Sequence, residues 1–462
     1  MNIVIFGLGE HYQKNKQKLY DYPNMKVVAL SDNNASLWGQ KVDDVEVLHP
    51  ESLQSVECDY VIIMSWLYRE AIKEQLLSYG ISKDKVIELN DFMEYLKYGN
   101  MWVYLSKREV PCPKGKILFI TTRLGYNGGS LAIIYAALAS QKLGFEPFIL
   151  VPHADVNLVD EYTKEGITFF VYPNLNAASI ENLYWVKGYS YYVVNTLQMM
   201  LCACELAKKH SVIWWLHEPK VHYERYKDLF EKYSKETLSK IDIYSVTNRA
   251  KENFEEKIPS LEAKELLLGI PDTATNMYNL AGQNKKMIFA VVGGIFERKG
   301  QDILLEAIEK GQNFEHKEVE FWLIGGIRPG EYADIVLEKM KSYPQVKWLG
   351  IKTRSEIEQL YKQIDVVIVC SREETLSIAA IEAMMYKKIC VVSDACGIVD
   401  YMDGRLSELV YPWESADALS QKISWCIENR QQFPAIGEEG RKAYERMFSI
   451  DAFAERLKPI FK

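Results

Sequence analysis

Three times along the chain, an apolar run the length of one strand ends in glycines and passes into a helical pattern. The first is Asn2-Ile-Val-Ile-Phe-Gly-Leu-Gly9. The second is Lys116-Ile-Leu-Phe-Ile-Thr-Thr-Arg-Leu-Gly-Tyr-Asn-Gly128-Gly129-Ser130, followed by a helix expected over Leu131 to Leu143. The third is Ile288-Phe-Ala-Val-Val-Gly-Gly-Ile295, followed by Phe296-Glu-Arg298-Lys299-Gly300 and a helix from Gln301 to Gly311. Unbroken apolar strands alternating with helices read as parallel sheets covered on both faces. In such sheets ligands sit at the C-terminal strand ends, where these glycines fall. The chain of 462 residues has room for about three such units.

Composition narrows the class. Hydrophobic residues make up 48% and charged residues 26%, as in globular proteins that build real cores. A net charge of -8 argues against nucleic-acid binding, which favours a basic face. The eight cysteines lie mostly in apolar runs and form no C-x-x-C pair; they read as reduced, buried thiols of a cytoplasmic protein, with Cys202-x-Cys204 in a core. The chain opens on a strand rather than a signal peptide, and no apolar run reaches the ~18 residues that would span a bilayer.

In the first hundred residues, Lys26–Asp32, Cys58–Met64 and Lys85–Leu89 add strands, and Glu70 to Tyr79 adds a helix. Gly7 and Gly9 with Asp32, 23 residues on, make half a dinucleotide fingerprint; Tyr12 stands where the third glycine would be. Nucleotide binding and a purely structural turn both remain open. The segment resembles the small Rossmann-like domains at the N-termini of some bacterial polysaccharide-synthesis enzymes, which share the Gly-x-Gly turn and the pair Asp32-Asn33. Asn90 to Pro113 reads as a helical linker.

In the middle section, strands are expected at Glu146–Pro152, Ile167–Tyr172, Tyr191–Asn195, Val212–His217 and Ile241–Val246. His217, closing a buried strand beside Glu218, is a site candidate by position. His210, His222 and His316 read as solvated, as do the basic residues Lys107, Arg108, Lys114, Lys116 and Arg123. Asn248, Arg249 and Lys251 carry no assignment. In the last section, Glu320–Gly326, Val346–Gly350, Ile364–Cys370 and Ile389–Ser393 are strands. Arg298 and Lys299, at a helix mouth, suit a diphosphate, one as a fork and the other as a point charge. Glu374 and Glu382, separated by seven residues in Ser371-Arg-Glu-Glu-Thr-Leu-Ser-Ile-Ala-Ala-Ile-Glu-Ala-Met384, flank a helix start whose amides favour anions. The chain has no Asp-x-Asp, so no acidic metal site is evident and protein cations would have to neutralise a diphosphate.

Glu374 to Glu382, with Gly128-Gly129, His217, Arg298-Lys-Gly300, Gly325-Gly326 and Trp348-Leu-Gly350 in order, resembles the retaining glycosyltransferases of the GT-B fold, similar to family 4, over roughly residues 115–462. The resemblance implies an α/β fold of two Rossmann-like domains facing a cleft, preceded by the small Rossmann-like domain. The expected boundaries are 1–100 for the N-terminal domain, 101–114 for a linker, 115–280 for the acceptor domain, 281–445 for the donor domain, and 446–462 for a helix crossing back to the acceptor domain. It further implies that Glu382 binds the donor ribose, that Glu374 faces the transferred sugar and that His217 lines the sugar site. Thr375, Leu376, Ser377 and Ile378 would hold the diphosphate with Arg298 and Lys299. Gly128 and Gly129 would let the halves close, and Gly350 and Ile351 would meet the base. Where the family often carries an arginine, this chain has Gly294.

The implied activity moves a sugar from a nucleotide sugar, UDP ahead of GDP, to a glycan, a lipid-linked or another hydroxyl acceptor in surface polysaccharide or glycoconjugate synthesis. It needs no cofactor and no metal, and a lipid-linked acceptor would bring the protein to the inner membrane face. The competing readings are a non-catalytic partner subunit of a heteromeric transferase and a sugar-nucleotide epimerase on the same fold. The base, sugar, acceptor, linkage and oligomeric state are not legible.

Overall fold

A computed structural model describes the chain except for residues 23–24, 100, 174, 176–179, 181–185, 233–234, 275–285, 312–313, 315–317 and 462. The expected helix end at Gly311 is described; His316 and the 275–280 end of the acceptor domain lie outside the described residues. The chain forms two compact units, Met1–Trp102 with Val171–Ala178, and Val103–Phe170 with Ser179–Lys462.

The first unit holds a six-stranded sheet in the order Lys41–Val42, Val45–Leu48, Lys26–Ser31, Asn2–Phe6, Tyr60–Ile63, Val86–Glu88. All its neighbours run parallel except the two-residue edge strand, which pairs antiparallel with Val45–Leu48. Alternate residues serve opposite faces. Ile3, Ile5, Leu30 and Ile62 enter one core, while Val4, Phe6, Ala29, Val61 and Ile63 enter the other. Burial on both faces is why these strands read as unbroken apolar runs. The missing third glycine is explained by Tyr12. Its ring is fully buried, and its hydroxyl donates to Asp43 at 2.5 Å and meets the Tyr20 hydroxyl at 3.1 Å. A core side chain occupies the position where close helix–strand approach would need glycine.

The expected helical linker is not one. The helix Leu89–Gly99 stops, and Trp102–Tyr104 forms an edge strand of the next sheet. Trp, Val and Tyr fit a pleated surface better than a helix. The amide of Lys107 donates to the Thr163 carbonyl at 2.8 Å and that of Ser106 to the Thr168 hydroxyl at 3.1 Å, so this stretch is built into the fold.

The second unit holds two large sheets. The eight-stranded one runs Lys264–Glu265, Ile241–Ser245, Val212–Leu216, Tyr191–Asn195, Lys116–Ile120, Glu146–Val151, Thr168–Val171, Trp102–Tyr104. The six-stranded one runs Val346–Gly350, Val319–Ile324, Met287–Val292, Val366–Val369, Ile389–Ser393, Val410–Tyr411, with every pair parallel. After the helix Phe433–Ala443 and a π-helical turn Tyr444–Phe448, the helix Ile450–Leu457 packs against Gly128–Lys142. There Phe453 meets Trp215 and Phe461 meets Tyr191, with ring centroids 5.5 and 5.1 Å apart. A Cβ on Gly269 would stand 2.5 Å from Phe453, so glycine is required where this helix lands.

The eight cysteines are free, and all but Cys112 are buried, Cys202 and Cys204 in the helix Met200–Ala207. The expectation of solvation fails for two histidines. His210 is half-buried with its ring 4.5 Å from that of Tyr192, and His222 is half-buried too. Lys107 pairs with Asp160, Lys116 with Glu146, and Arg108 donates to Gln141 and the Glu165 carbonyl. Lys107, Arg108, Lys114, Lys116 and Arg123 are nonetheless all exposed, as expected, and these pairs lie at the solvated surface. Among the described residues no helix is long and apolar enough to cross a membrane.

Candidate functional site

The site gathers at the C-terminal ends of both sheets of the second unit. From the six-stranded sheet, Val366–Val369 ends in the loop 370–377, and Ser377 caps the helix Ile378–Met385 through its hydroxyl on the Ala380 amide. Among the described residues, the amides of Thr375, Leu376 and Ser377 donate no backbone hydrogen bond. Leu376 and Ser377 are buried, and Thr375 and Ile378 are half-buried. The loop thus presents unpaired N–H groups at the positive end of a helix.

Glu374 is held on that loop. Lys299 Nζ meets its two carboxylate oxygens at 2.7 and 2.8 Å, and the Ser371 hydroxyl donates to Oε2 at 2.8 Å. Burial pushes the carboxyl upward, but the Lys299 and Arg298 charges outweigh it and hold Glu374 below the usual carboxylate range. Arg298 donates to the Glu373 carbonyl at 2.7 Å and stacks over Phe296 at 5.5 Å. Lys299 is thus paired with Glu374, and Arg298 with the Glu373 carbonyl. Both are already braced against the loop, because the Glu297–Lys299 turn lies across from it. Gly300 sets that turn, with φ +67°, and a Cβ there would be 2.0 Å from the Cys370 carbonyl oxygen. Gly294 packs its Cα against the Gly326 carbonyl, where a Cβ would be 3.1 Å away.

Glu382 is 3% exposed. Arg354 donates to one of its oxygens and the Tyr361 hydroxyl to the other, at 3.0 Å. Arg354 was not singled out in the sequence, where it reads as the ordinary first residue of the helix Arg354–Tyr361. Only the packing of that helix beside Ile378–Met385 brings the two charges together. Gly350, with φ +73°, ends the Val346–Gly350 strand and accepts from the Gly325 amide at 2.9 Å, and Ile351 beyond it is 80% exposed.

The opposite sheet reaches the same loop. His217, at the end of Val212–Leu216, accepts from the Thr375 hydroxyl through its carbonyl at 3.0 Å. Its ring lies edge-on to Trp215 at 4.3 Å, and Nε2 is buried without a partner among the described residues. Burial drives its pKa down to about 3, so the imidazole is neutral at pH 7. Glu218 accepts from the amides of Leu197 and His217, at 2.6 and 2.9 Å, yet burial still raises its pKa to about 7. Gly128 and Gly129 are not in a loop but open the helix Gly128–Lys142, because Asn127 caps it on the Ser130 amide. A Cβ on Gly128 would sit 3.8 Å from Ile378, so this helix start faces the other.

Two further residues complete the bridge. The Thr247 hydroxyl donates to the Thr375 carbonyl at 3.0 Å, and Arg249 donates to the Asp394 carbonyl and to Asp400 at 2.6 and 2.7 Å. Arg249 carried no assignment in the sequence. Its position at a strand end was the only signal.

Comparison with known proteins agrees with this geometry. Residues 273–443 match the model of the glycosyl transferases group 1 family, and residues 1–87 match the model described as C2185-like, N-terminal. The solved glycosyltransferase from Rickettsia africae ESF-5 superposes with a TM-score of 0.63 at 19% identity, covering 76% of this chain and 98% of that one. Anabaena HepE, solved with UDP and glucose, superposes with a TM-score of 0.60 at 17% identity, covering 75% of this chain and 98% of its own. The chain has the GT-B glycosyltransferase fold, and residues 273–443 are similar to the glycosyl transferases group 1 family. In sequence, the chain is 28% identical over 204 residues to the glycogen synthase of Thermodesulfovibrio yellowstonii, across 42% of this chain and 40% of that one. The matches span about half or less of these curated relatives' own length.

Proposed function

We propose that the chain transfers a sugar, with retention, from a nucleoside diphosphate sugar to a hydroxyl acceptor, a glycan or a lipid-linked saccharide. The loop 373–377 carries the reading. Its free amides and the Arg298–Lys299 turn form an anion seat, and His217, Thr247 and Lys220 from the opposite sheet hold it, the Lys220 amide donating to Glu373 at 2.9 Å. The HepE structures with UDP, glucose and UDP-glucose support a UDP-sugar donor for a chain of this fold.

The chemistry follows from charge. Departure of the nucleoside diphosphate puts negative charge on the β-phosphate, and preorganised amides and cations aimed there give the largest stabilisation. Lys299 and Arg298 lie beside that seat, and Thr375 to Ile378 supply the amides. The acceptor hydroxyl attacks the anomeric carbon from the leaving-group face, so the new bond forms where the old one breaks. The acceptor proton passes to the departing phosphate oxygen. Glu374 faces the sugar but is not a covalent nucleophile, since Lys299 spans both its oxygens. Neutral His217 lines the sugar side as a hydrogen-bonding group through Nε2. Glu382 takes the ribose hydroxyls once Arg354 gives way, and Gly350 and Ile351 present the edge for the base.

The test is a donor screen. The purified chain is incubated with UDP-, GDP- and dTDP-sugars, with and without saccharide acceptors, and nucleotide release and the anomeric configuration of the product are measured. Acceptor-dependent release from one donor with retained configuration is expected. Binding without turnover would favour the partner-subunit reading, and a changed sugar on intact nucleotide would favour the epimerase.

A further inference from the structure

The first unit has its own cavity, of about 590 Å³, at the C-terminal ends of Asn2–Phe6, Lys26–Ser31 and Tyr60–Ile63. That volume falls in the range of small-ligand sites, roughly 300–1,000 Å³. Its position is the switch point of the sheet. Asn2–Phe6 is central, and the chain leaves it toward Lys26–Ser31 on one side and returns as Tyr60–Ile63 on the other.

Gly9 shows that the space is kept open. Gly7, in the same turn, needs to be glycine, because its φ is +96° and a Cβ would press on the Met64 carbonyl at 3.3 Å. Gly9 has no such need. Its φ is -72°, which any residue adopts, and a Cβ there would meet nothing within 4 Å. Neither backbone nor packing asks for glycine, and the residue lines the cavity. A side chain at this position would take up part of that space.

The walls set the ligand's chemistry. No Lys or Arg is among the lining residues, whereas Glu10 and Asp32 are. The Asp32 carboxylate is fixed by the amides of Leu8 and Asn34, at 2.6 and 2.8 Å, so the first amide of the glycine turn is spent inside the protein. A diphosphate placed here would face two carboxylates, at a Coulombic cost, and the cations nearby are engaged, Lys14 with Glu10 and Arg69 over the Trp66 ring. An uncharged ligand avoids that repulsion. On the rim, Trp66, Leu67 and Tyr68 are 60%, 85% and 68% exposed, and the Arg69 guanidinium lies 5.2 Å over the Trp66 ring. Carboxylates accept from several hydroxyls, and aromatic faces take a flat C–H surface. A pyranose ring presents both.

We infer that this cavity binds an uncharged saccharide unit, its hydroxyls on Asp32 and Glu10 and its C–H face on Trp66 and Tyr68. The inference is independent of the transferase assignment and concerns a site in the other unit.

The test uses the full chain and saturation-transfer NMR with methyl glucopyranosides, methyl galactopyranosides, N-acetylglucosamine and lactose, and in separate samples UMP and NAD. Three variants are compared: Gly9→Val, which places a side chain at the cavity wall with an allowed backbone; Trp66→Ala, on the exposed rim; and Lys299→Ala, in the other unit. At least one saccharide should give a signal that survives in Lys299→Ala and falls about tenfold or more in both Gly9→Val and Trp66→Ala. Circular dichroism and melting temperature report whether each variant folds, and Trp66→Ala decides the case if Gly9→Val does not. Nucleotide signals should be indifferent to both. No saccharide signal sensitive to Trp66→Ala, or a nucleotide signal abolished by Gly9→Val, would overturn the inference.

Discussion

Lys299 Nζ sits between the two carboxylate oxygens of Glu374, 2.7 Å from one and 2.8 Å from the other, across 75 residues of sequence. Both side chains are less than one-fifth exposed. Removing one partner of such a pair leaves a buried charge unpaired and costs on the order of 3 kcal/mol. Lys299→Ala is expected to lower the melting temperature at pH 7, with the deficit shrinking as pH falls and Glu374 takes a proton. The sign follows from the Glu374 pKa, which is lowered in the folded protein, so its contribution is present at neutral pH and lost on acidification. Lys299→Ala with Glu374→Gln should regain most of the stability in thermal melts but not donor affinity in calorimetry. Full recovery of affinity would remove Lys299 from the diphosphate seat.

Arg354 covers Glu382. Calorimetric titration of the wild type is expected to favour UDP over its 2′-deoxy analogue, and Glu382→Ala should abolish that preference. Arg354→Met should keep the preference and lower the melting temperature, since Glu382 then loses its counter-charge. Equal discrimination in wild type and Glu382→Ala would take the ribose away from this carboxylate.

Two glycines separate strain from collision. Gly80 has φ +83° with open space around the missing Cβ, whereas Gly300 has φ +67° with the Cys370 carbonyl 2.0 Å from where a Cβ would be. Gly80→Ala should cost about 1 kcal/mol, the left-handed penalty alone. Gly300→Ala should cost clearly more and also weaken donor binding, because it shifts the turn carrying Arg298 and Lys299. Chemical denaturation of both variants gives the comparison.

His217 and Glu218 pull stability in opposite directions with pH. With a folded pKa of about 3, His217 is neutral where the unfolded imidazole is protonated, so stability rises with pH between about 3 and 6.5. With a folded pKa of about 7, Glu218 holds its proton where the unfolded carboxyl has lost it, so stability falls as pH rises from about 4.5 to 7. Glu218→Gln should gain stability relative to wild type across that second window, by up to about 3 kcal/mol above pH 7 at ~1.4 kcal/mol per unit. Denaturant midpoints at pH 4.5, 6 and 8 measure it, and a flat difference would mean that Glu218 is solvated.

Much of the fold was legible because strands buried on both faces leave unbroken apolar runs, as at Met287–Val292 and Val366–Val369. The spacing of Glu374 and Glu382 alone reads as an ordinary solvated helix, and it was the resemblance that singled them out, whereas His217 stood out by its place at a strand end. The linker was misread because Trp102–Tyr104 is too short to show a period and joins a sheet whose other strands come later in the chain. Gly128 and Gly129 were read as loop because glycine seldom opens a helix, and it was Asn127 that supplied the cap.

By itself, then, the sequence determined the repeated strand–glycine–helix units, the parallel sheets and the acid-flanked helix start, since these rest on local periodicity, turn chemistry and helix capping. Which charges meet was decided only in three dimensions. Lys299 with Glu374, Arg354 with Glu382, and Arg249 with Asp400 join residues 28 to 151 positions apart. Coulombic contacts and hydrogen bonds depend on distances of a few ångströms, and sheet order and helix packing fix those distances. The same holds in the first unit, where the glycine turn alone left its role open and only the fold brings Glu10, Asp32, Trp66 and Tyr68 around one cavity.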